Sequence, residues 1–146
     1  MLMKKTALAA VVLAVLACGT TAQADERFNN KSLRGAWGFN AHGFLGATTP
    51  AQTPASAMGR NTYDGAGGCT SDAKLNAGGT VLTLNSISCT YTVFPDGTGT
   101  QETVYAVGTF TTDFVLVDNA KEFLFIVSDT AQPGTTVASG VAKRQK

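Results

Sequence analysis

The sequence predicts an all-β protein built as a single antiparallel meander β-barrel of about eight strands. Three observations favour this class. Residues 32–146 contain short runs rich in Thr, Val, Phe and Tyr and show no sustained helical period. Turn pairs such as Gly78-Gly79 and Asp96-Gly97 separate these runs, and such pairs join neighbouring antiparallel strands. About eight strands in roughly 115 residues suit a small closed barrel, which has no exposed sheet edge.

Residues 1–24 are expected to be a cleaved signal peptide. Lys4 and Lys5 precede an apolar run, 6–17, that is too short to cross a bilayer core of about 30 Å as a helix. Ala22-Gln23-Ala24 is a small-x-small cleavage site, whereas Val15-Leu16-Ala17-Cys18 resembles a bacterial lipobox that would lipidate Cys18. Leu16 is uncommon at its lipobox position, which favours cleavage after Ala24. Both routes export the protein to the periplasm or outside the cell.

Cleavage after Ala24 leaves an N-terminal tail, 25–31, and one barrel domain, 32–146. Charged residues make up 14% of the chain, against about 25% in an ordinary soluble domain. The mature chain is nearly neutral, because the removed segment contains two lysines and no acidic residue. This composition excludes the basic footprint of a nucleic-acid-binding protein and favours contact with apolar partners or with a second copy.

The strands are predicted in chain order from alternating runs that end at turn residues. The first strand is expected to bend at one of its glycines. The uncharged connection 46–56 that follows it is either a lid over the barrel mouth or an ordinary surface loop. The Asp64-Gly65 and Asp96-Gly97 motifs are interpreted as hairpin turns, because a calcium loop needs several carboxylates. The predicted strands are 33–45, 57–63, 69–75, 81–86 with its continuation 89–94, 102–110, 114–117, 122–128 and 136–143.

Cys69 and Cys89 are the cysteines that remain after cleavage at Ala24, and an oxidising compartment favours pairing them. They are symmetric about Gly79, so a hairpin centred there would place them opposite each other. A structural disulfide is therefore favoured over a reactive or metal-binding pair. Closing a loop of about 20 residues stabilises a protein by roughly 3 kcal/mol in the chain-entropy model.

Two strand runs, 114–117 and 123–127, are apolar on both faces. A barrel that is open to water on its outside needs a polar outer face. These runs therefore predict that something covers the outer face. A homo-oligomer interface is the simplest cover, and the chain termini are the next.

The sequence predicts no catalytic residue, no metal site and no cofactor. The single histidine, His42, falls on the strand face opposite Trp37 and Phe39, and no Gly-x-Ser-x-Gly turn provides a nucleophile. One histidine and three cysteines barely suffice for a four-ligand zinc site. We expect His42 to be structural, with a ligand contact as the alternative.

Six aromatic side chains are expected inside the barrel. A barrel of about eight strands is just wide enough either to fill with side chains or to hold one small ligand. These residues therefore form either a plain core or the lining of a site for a small hydrophobic or lipid-like ligand. The six are Trp37, Phe39, Tyr91, Phe110, Phe114 and Phe125.

The segment Leu33-Arg34-Gly35-Ala36-Trp37-Gly38-Phe39, with its Gly-x-Trp, resembles the first strand of lipocalins and other calycins. The segments 63–67, 91–99, 113–122 and 137–145 resemble a family of small exported bacterial proteins that look like calycin or allene-oxide-cyclase-type barrels. The resemblance covers nearly the whole mature chain and implies a barrel fold. Thr112-Asp113-Phe114 departs from the second lipocalin hallmark, Thr-Asp-x-Tyr, and the cyclase likeness places no catalytic residue here.

These observations predict an exported bacterial β-barrel that binds a small hydrophobic or lipid-like ligand in its interior. The alternative is a structural or interaction protein of the cell envelope with a filled barrel. A barrel cyclase or isomerase is the third hypothesis. Neither a nucleic-acid partner nor a membrane span is expected.

Overall fold

The computed structural model describes residues 27–46, 52–128 and 136–146. The predicted signal peptide and Cys18 lie outside the described residues, as do residues 47–51 and the Pro133-Gly134 turn. The connection after the first strand is shorter than predicted, because the second strand already begins at Thr53.

The described residues form nine antiparallel strands in one curled sheet. The predicted all-β fold with a single antiparallel sheet is confirmed. Within the described ranges the remaining regular structure is two short 3₁₀ turns, Asn30–Leu33 and Asp118–Ala120. The strands are β1 Gly35–Leu45, β2 Thr53–Tyr63, β3 Cys69–Ala77, β4 Thr80–Asn85, β5 Ser88–Val93, β6 Thr98–Tyr105, β7 Gly108–Val117, β8 Glu122–Val127 and β9 Thr136–Arg144.

The strand order is β4-β3-β2-β1-β9-β8-β7-β6-β5. Because β1 pairs with both β2 and β9, the first and last strands meet in the middle of the sheet. Successive strands are hydrogen-bonded neighbours except β4 and β5, which form the two edges. The sheet is therefore a half-barrel with meander connections, and its ladder is open at one seam.

The predicted strand 102–110 is wrong, because a hairpin turn divides it. β6 ends at Tyr105 and β7 begins at Gly108, which leaves Ala106 and Val107 as the two-residue loop. An Ala-Val loop lacks the Asn, Asp or Gly residues that usually mark a tight hairpin in a sequence. The predicted strand 114–117 is the second half of β7.

Interior and outer residues alternate along the strands, as the pleat requires. On β3 the buried residues Ser71, Ala73 and Leu75 are separated by exposed ones. The alternation changes phase between β4 and β5, since Leu84 and Cys89 are both buried although they are five positions apart, a step that places residues of a regular strand on opposite faces. The segment Ser86–Ile87 thus adds one residue to this edge, as a β-bulge does, and keeps both strands facing the core.

A disulfide joins β3 to β5 at the open seam. The Cα atoms of Cys69 and Cys89 are 4.9 Å apart, and the predicted disulfide is confirmed. Two backbone hydrogen bonds flank it: the Ser86 N–H donates to the Ser71 carbonyl and the Tyr91 N–H to the Gly67 carbonyl, each at 2.9 Å. The seam is therefore tied at the disulfide end, although its ladder is incomplete.

The expected hairpin geometry of the two cysteines needs one correction. The β3–β4 register pairs Asp72 with Asn85 and Ala77 with Thr80. Continued without change, that register would place Cys69 opposite Ser88. The extra residue at Ser86–Ile87 brings Cys89 into position instead.

One half of the interior is filled by a cluster of aromatic rings. Trp37 is fully buried, its ring centroid lies 5.2 Å from that of Phe123, and its Nε1 donates to the Leu33 carbonyl at 2.7 Å. The first 3₁₀ turn closes this end of the barrel, because Leu33 is fully buried and the Asn30 side chain accepts the Val93 N–H at 2.8 Å. The rings of this filled half are Trp37, Tyr63, Tyr91, Phe114 and Phe123.

Arg144 fastens the last strand to the closed end. Its guanidinium carbon lies 4.7 Å from the Trp37 ring centroid, a cation–π arrangement. The same group donates to the carbonyl oxygens of Ser32, Arg34 and Ala120. Arginine suits this position because its planar fork can stack and donate several hydrogen bonds at once.

The outer face carries exposed apolar side chains on β7 and β8. Leu124 and Ile126 are 46% and 54% exposed, and Val115, paired with Leu124, is 39% exposed. The two apolar runs thus present one side to the core and the other to the surface. No helix in the described part of the chain is long and apolar enough to cross a membrane.

Replacing both cysteines with serine (Cys69→Ser with Cys89→Ser) is expected to lower the free energy of unfolding by roughly 3 kcal/mol, because the unfolded chain regains the freedom of a loop of about 20 residues. Urea denaturation of the two proteins measures the difference. Reductant should destabilise the natural protein and leave the double variant unchanged. Equal stability of the oxidised natural protein and the double variant would contradict the role assigned to the seam.

Candidate ligand-binding site

The other half of the interior contains a cavity of about 120 Å³. Interior residues of eight of the nine described strands line it; β5 does not contribute. The cavity lies beyond Phe123, which belongs both to the aromatic cluster and to the cavity lining. The filled half therefore forms the base on which the cavity rests.

Small side chains leave this half unfilled. Interior positions in the filled half carry aromatic rings, whereas several interior positions around the cavity carry alanine. Their methyl groups are too short to meet across the barrel, so the interior keeps open space. These residues are Ala41 on β1, Ala55 and Ala57 on β2, Ala73 on β3 and Ala138 on β9.

Aromatic rings form much of the remaining wall. Phe39 and Phe125 meet edge to face with centroids 6.3 Å apart, and Tyr105 and Phe110 do so at 5.9 Å. Gly140, paired with Phe125, positions that ring: a Cβ at Gly140 would lie 2.5 Å from Phe125 Cζ, so only glycine lets the ring cover β9. Leu75 and Leu84 complete the apolar wall.

The structure separates the six predicted aromatic residues into two groups. Phe39, Phe110 and Phe125 line the cavity. Trp37, Tyr91 and Phe114 pack in the filled half. The interior is therefore packed core in one half and open cavity in the other.

Polar side chains form a hydrogen-bonded chain where the cavity meets the filled half, and this chain is called the polar floor. The Asn61 Nδ2 donates to the Tyr63 hydroxyl at 3.0 Å, and that hydroxyl donates to the Gln101 Oε1 at 2.6 Å. The Gln101 Nε2 donates in turn to the Thr103 Oγ1 at 2.9 Å. Asn61, Gln101 and Thr103 line the cavity, whereas Tyr63 belongs to the filled half.

A second polar pair lies beside this chain. The hydroxyls of Ser71 and Tyr105 are 2.6 Å apart, and both residues line the cavity. Burial raises the pKa of Tyr105, the hydrogen bond from Ser71 opposes this rise, and the nearby Asp72 adds to it. Burial likewise raises the pKa of Tyr63. Both phenols thus stay protonated at neutral pH; the Tyr63 hydroxyl donates to Gln101, and either hydroxyl of the Ser71–Tyr105 pair can be the donor.

One atom of this polar floor has no partner among the described residues. Asn61 is 6% exposed, and its Oδ1 makes no hydrogen bond there. A buried acceptor left unsatisfied costs about 1–3 kcal/mol. Such groups are rare in native proteins, and each calls for a specific explanation.

The cavity can bind and orient a molecule, and its lining offers few groups for bond-breaking chemistry. Of the described residues that line it, none is Asp, Glu, Lys or Arg. His42 borders the cavity but is exposed, because alternation places it on the outer face between Ala41 and Gly43. No cluster of three His, Cys, Asp or Glu able to hold a metal ion occurs in the described ranges.

Sequence reasoning missed the small residues and the polar floor. The signal for the first is alanine at every second position, as in Ala55 and Ala57. The signal for the second is an amide in the interior phase of a strand: Asn61 two residues before Tyr63, and Gln101 two residues before Thr103. Neither pattern reveals, within one strand, what the opposite wall contributes.

Comparison of the chain with protein-family models, with curated proteins and with solved structures finds no match.

The Tyr63→Phe substitution is expected to lower the free energy of unfolding by about 1–3 kcal/mol, because it leaves the Gln101 Oε1 and the Asn61 Nδ2 unpaired in the interior. Urea denaturation measures the loss. The control is Thr62→Val, which removes an exposed hydroxyl from the outer face of the same strand and should change stability by less than about 0.5 kcal/mol. Equal effects of the two substitutions would refute the polar chain.

Proposed function

We propose that this protein is an exported binding protein that holds a small apolar molecule in the unfilled half of its barrel. The observation that carries the proposal is the cavity of about 120 Å³, bounded by apolar side chains and by no charged one among the described lining residues. Small-molecule sites are typically concave and mostly apolar, with a few polar groups that fix orientation. The wall and floor of this cavity have that composition.

The size of the cavity limits the buried part of the ligand. An apolar protein cavity of about 150 Å³ accommodates benzene, so this one suits a single ring or a short alkyl chain. Burying about 150 Å² of such a group contributes about 4 kcal/mol, which corresponds to a millimolar Kd. Tighter binding requires a polar contact at the floor or a longer, lipid-like ligand that continues beyond the cavity.

Two features support export. The N-terminal 24 residues have the pattern of a signal peptide. The Cys69–Cys89 disulfide is typical of proteins that fold in an oxidising compartment.

Native mass spectrometry of protein exported and purified from a bacterial host tests the proposal. We expect a bound mass that is lost on denaturation. Because toluene is expected to bind with a millimolar Kd, its binding to protein without such a mass is measured by NMR titration. A protein with no bound mass and no saturable chemical-shift change on addition of toluene would refute ligand binding. The denatured mass of the same sample identifies the cleavage site.

The Phe110→Trp substitution is expected to reduce toluene binding at least tenfold without unfolding the protein, because the larger indole occupies part of the cavity. The matched control is Leu124→Trp, which adds the same side chain to the outer face, where Leu124 is 46% exposed. That variant should bind toluene like the natural protein. Titrations followed by NMR give the Kd values, and unchanged binding by Phe110→Trp would place the ligand elsewhere.

A second candidate function, that of an envelope protein acting through its surface, is favoured by the exposed row Val115, Leu124 and Ile126 on β7 and β8. This apolar row would bury its area against a second copy or another envelope protein. The described residues show no feature that favours the cyclase or isomerase hypothesis.

Self-association is the prediction of this second candidate. Sedimentation velocity of the natural protein should show a concentration-dependent oligomer, and Leu124→Lys should shift the population to monomer because a lysine at the interface loses its hydration. The control is Thr70→Lys, a substitution at an exposed position on the outer face of β3. A natural protein that stays monomeric up to high concentration would exclude this interface.

A further inference from the structure

We infer that the ligand of this cavity is a small apolar alcohol or phenol whose hydroxyl binds the side-chain amide of Asn61 on the cavity floor. The inference rests on the proposed function and names the chemical class of its ligand. It is carried by three observations: the unpartnered Asn61 Oδ1, the absence of charge in the described lining, and the apolar wall opposite the floor.

No polar group of the described residues makes a hydrogen bond with the Asn61 Oδ1. The Tyr63 hydroxyl donates its one proton to the Gln101 Oε1, and the Gln101 Nε2 donates to the Thr103 Oγ1. Asn61 itself is 6% exposed, so bulk water is largely excluded from it. A ligand donor that reaches the floor would remove the desolvation penalty of this acceptor.

Of the common polar groups of a ligand, a neutral hydroxyl suits the Asn61 amide best. An ammonium group would be buried beside no described counter-charge, which is strongly unfavourable. A carboxylate has no proton to donate to an amide oxygen. A neutral hydroxyl donates to the Oδ1, and it can equally accept from the Asn61 Nδ2 if the chain of side-chain hydrogen bonds runs in the opposite direction.

The apolar wall of the cavity determines the size and the apolar character of the rest of the ligand. Phe39, Phe110 and Phe125 face the space above the floor, together with alanine methyl groups. At about 120 Å³, the cavity suits a body of about one ring. Phenols of the size of p-cresol combine this body with a hydroxyl at one end, and toluene is the matched molecule without it.

A thermodynamic cycle tests the inference with these two probes and two proteins. The Kd values of p-cresol and toluene are measured by NMR titration for the natural protein and for Asn61→Leu, which is similar in size and has no polar atom. The ratio of the toluene Kd to the p-cresol Kd is expected to fall about tenfold or more in the variant, since the buried hydroxyl then lacks its partner. Phe39→Leu, a wall substitution, is the control: it should weaken both ligands and leave the ratio unchanged.

A measurement on the natural protein covers the case in which Asn61→Leu does not fold. The side-chain amide resonances of Asn61 should shift on saturation with p-cresol and much less with toluene. Identical responses to the two probes, or a Kd ratio that is the same in both proteins, would overturn the inference and indicate that water serves the Oδ1. In that outcome toluene still binds and Phe110→Trp still blocks it, so the proposed function survives; if neither probe binds, both proposals fail.

Discussion

The interior of this half-barrel depends on one extra residue between β4 and β5. Side chains alternate with a period of two along a strand, so a continuous strand would turn either Leu84 or Cys89 outward. The Ser86–Ile87 segment shifts the phase and keeps both inside. The same shift moves Cys89 opposite Cys69, where the disulfide replaces ladder hydrogen bonds that the seam lacks. Without this shift, the tight hairpins that follow would carry the wrong face of β6, β7 and β8 to the core.

The curled sheet encloses an interior that is filled unevenly. Around Trp37 the rings of four other aromatic residues interlock, and the first 3₁₀ turn and Arg144 close that end. Towards the Leu45 end of β1, interior positions carry alanine, and the walls cannot meet. Dense packing and open space thus lie in different halves of one small domain: the aromatic half buries most of the large side chains, whereas the alanine half loses packing energy and keeps a cavity.

The polar floor between these halves lowers the stability of the fold, because it buries a polar atom without a hydrogen-bond partner. Tyr63, Gln101 and Thr103 satisfy one another, which makes their burial tolerable. Asn61 is satisfied on its nitrogen and not, among the described residues, on its oxygen. An apolar cavity of this size binds a single ring weakly, so a hydrogen bond at the floor would supply both orientation and selectivity. The proposed alcohol or phenol links the two observations: the wall accepts its body and Asn61 its hydroxyl.

Local patterns in the sequence determined the β-rich class, most strand positions and the turns, because Gly78-Gly79 and Asp96-Gly97 specify hairpins within a few residues. They also determined the pairing of Cys69 with Cys89, since these cysteines alone remain after cleavage at the predicted site. The sequence did not predict the Ala106-Val107 hairpin, because neither alanine nor valine is typical of a tight turn. Only the tertiary structure decided which aromatic residues pack together and which face open space. Trp37 and Phe39 are two positions apart on one strand face. The side chains that β3, β6 and β8 place opposite them determine that Trp37 packs in the core and that Phe39 lines the cavity.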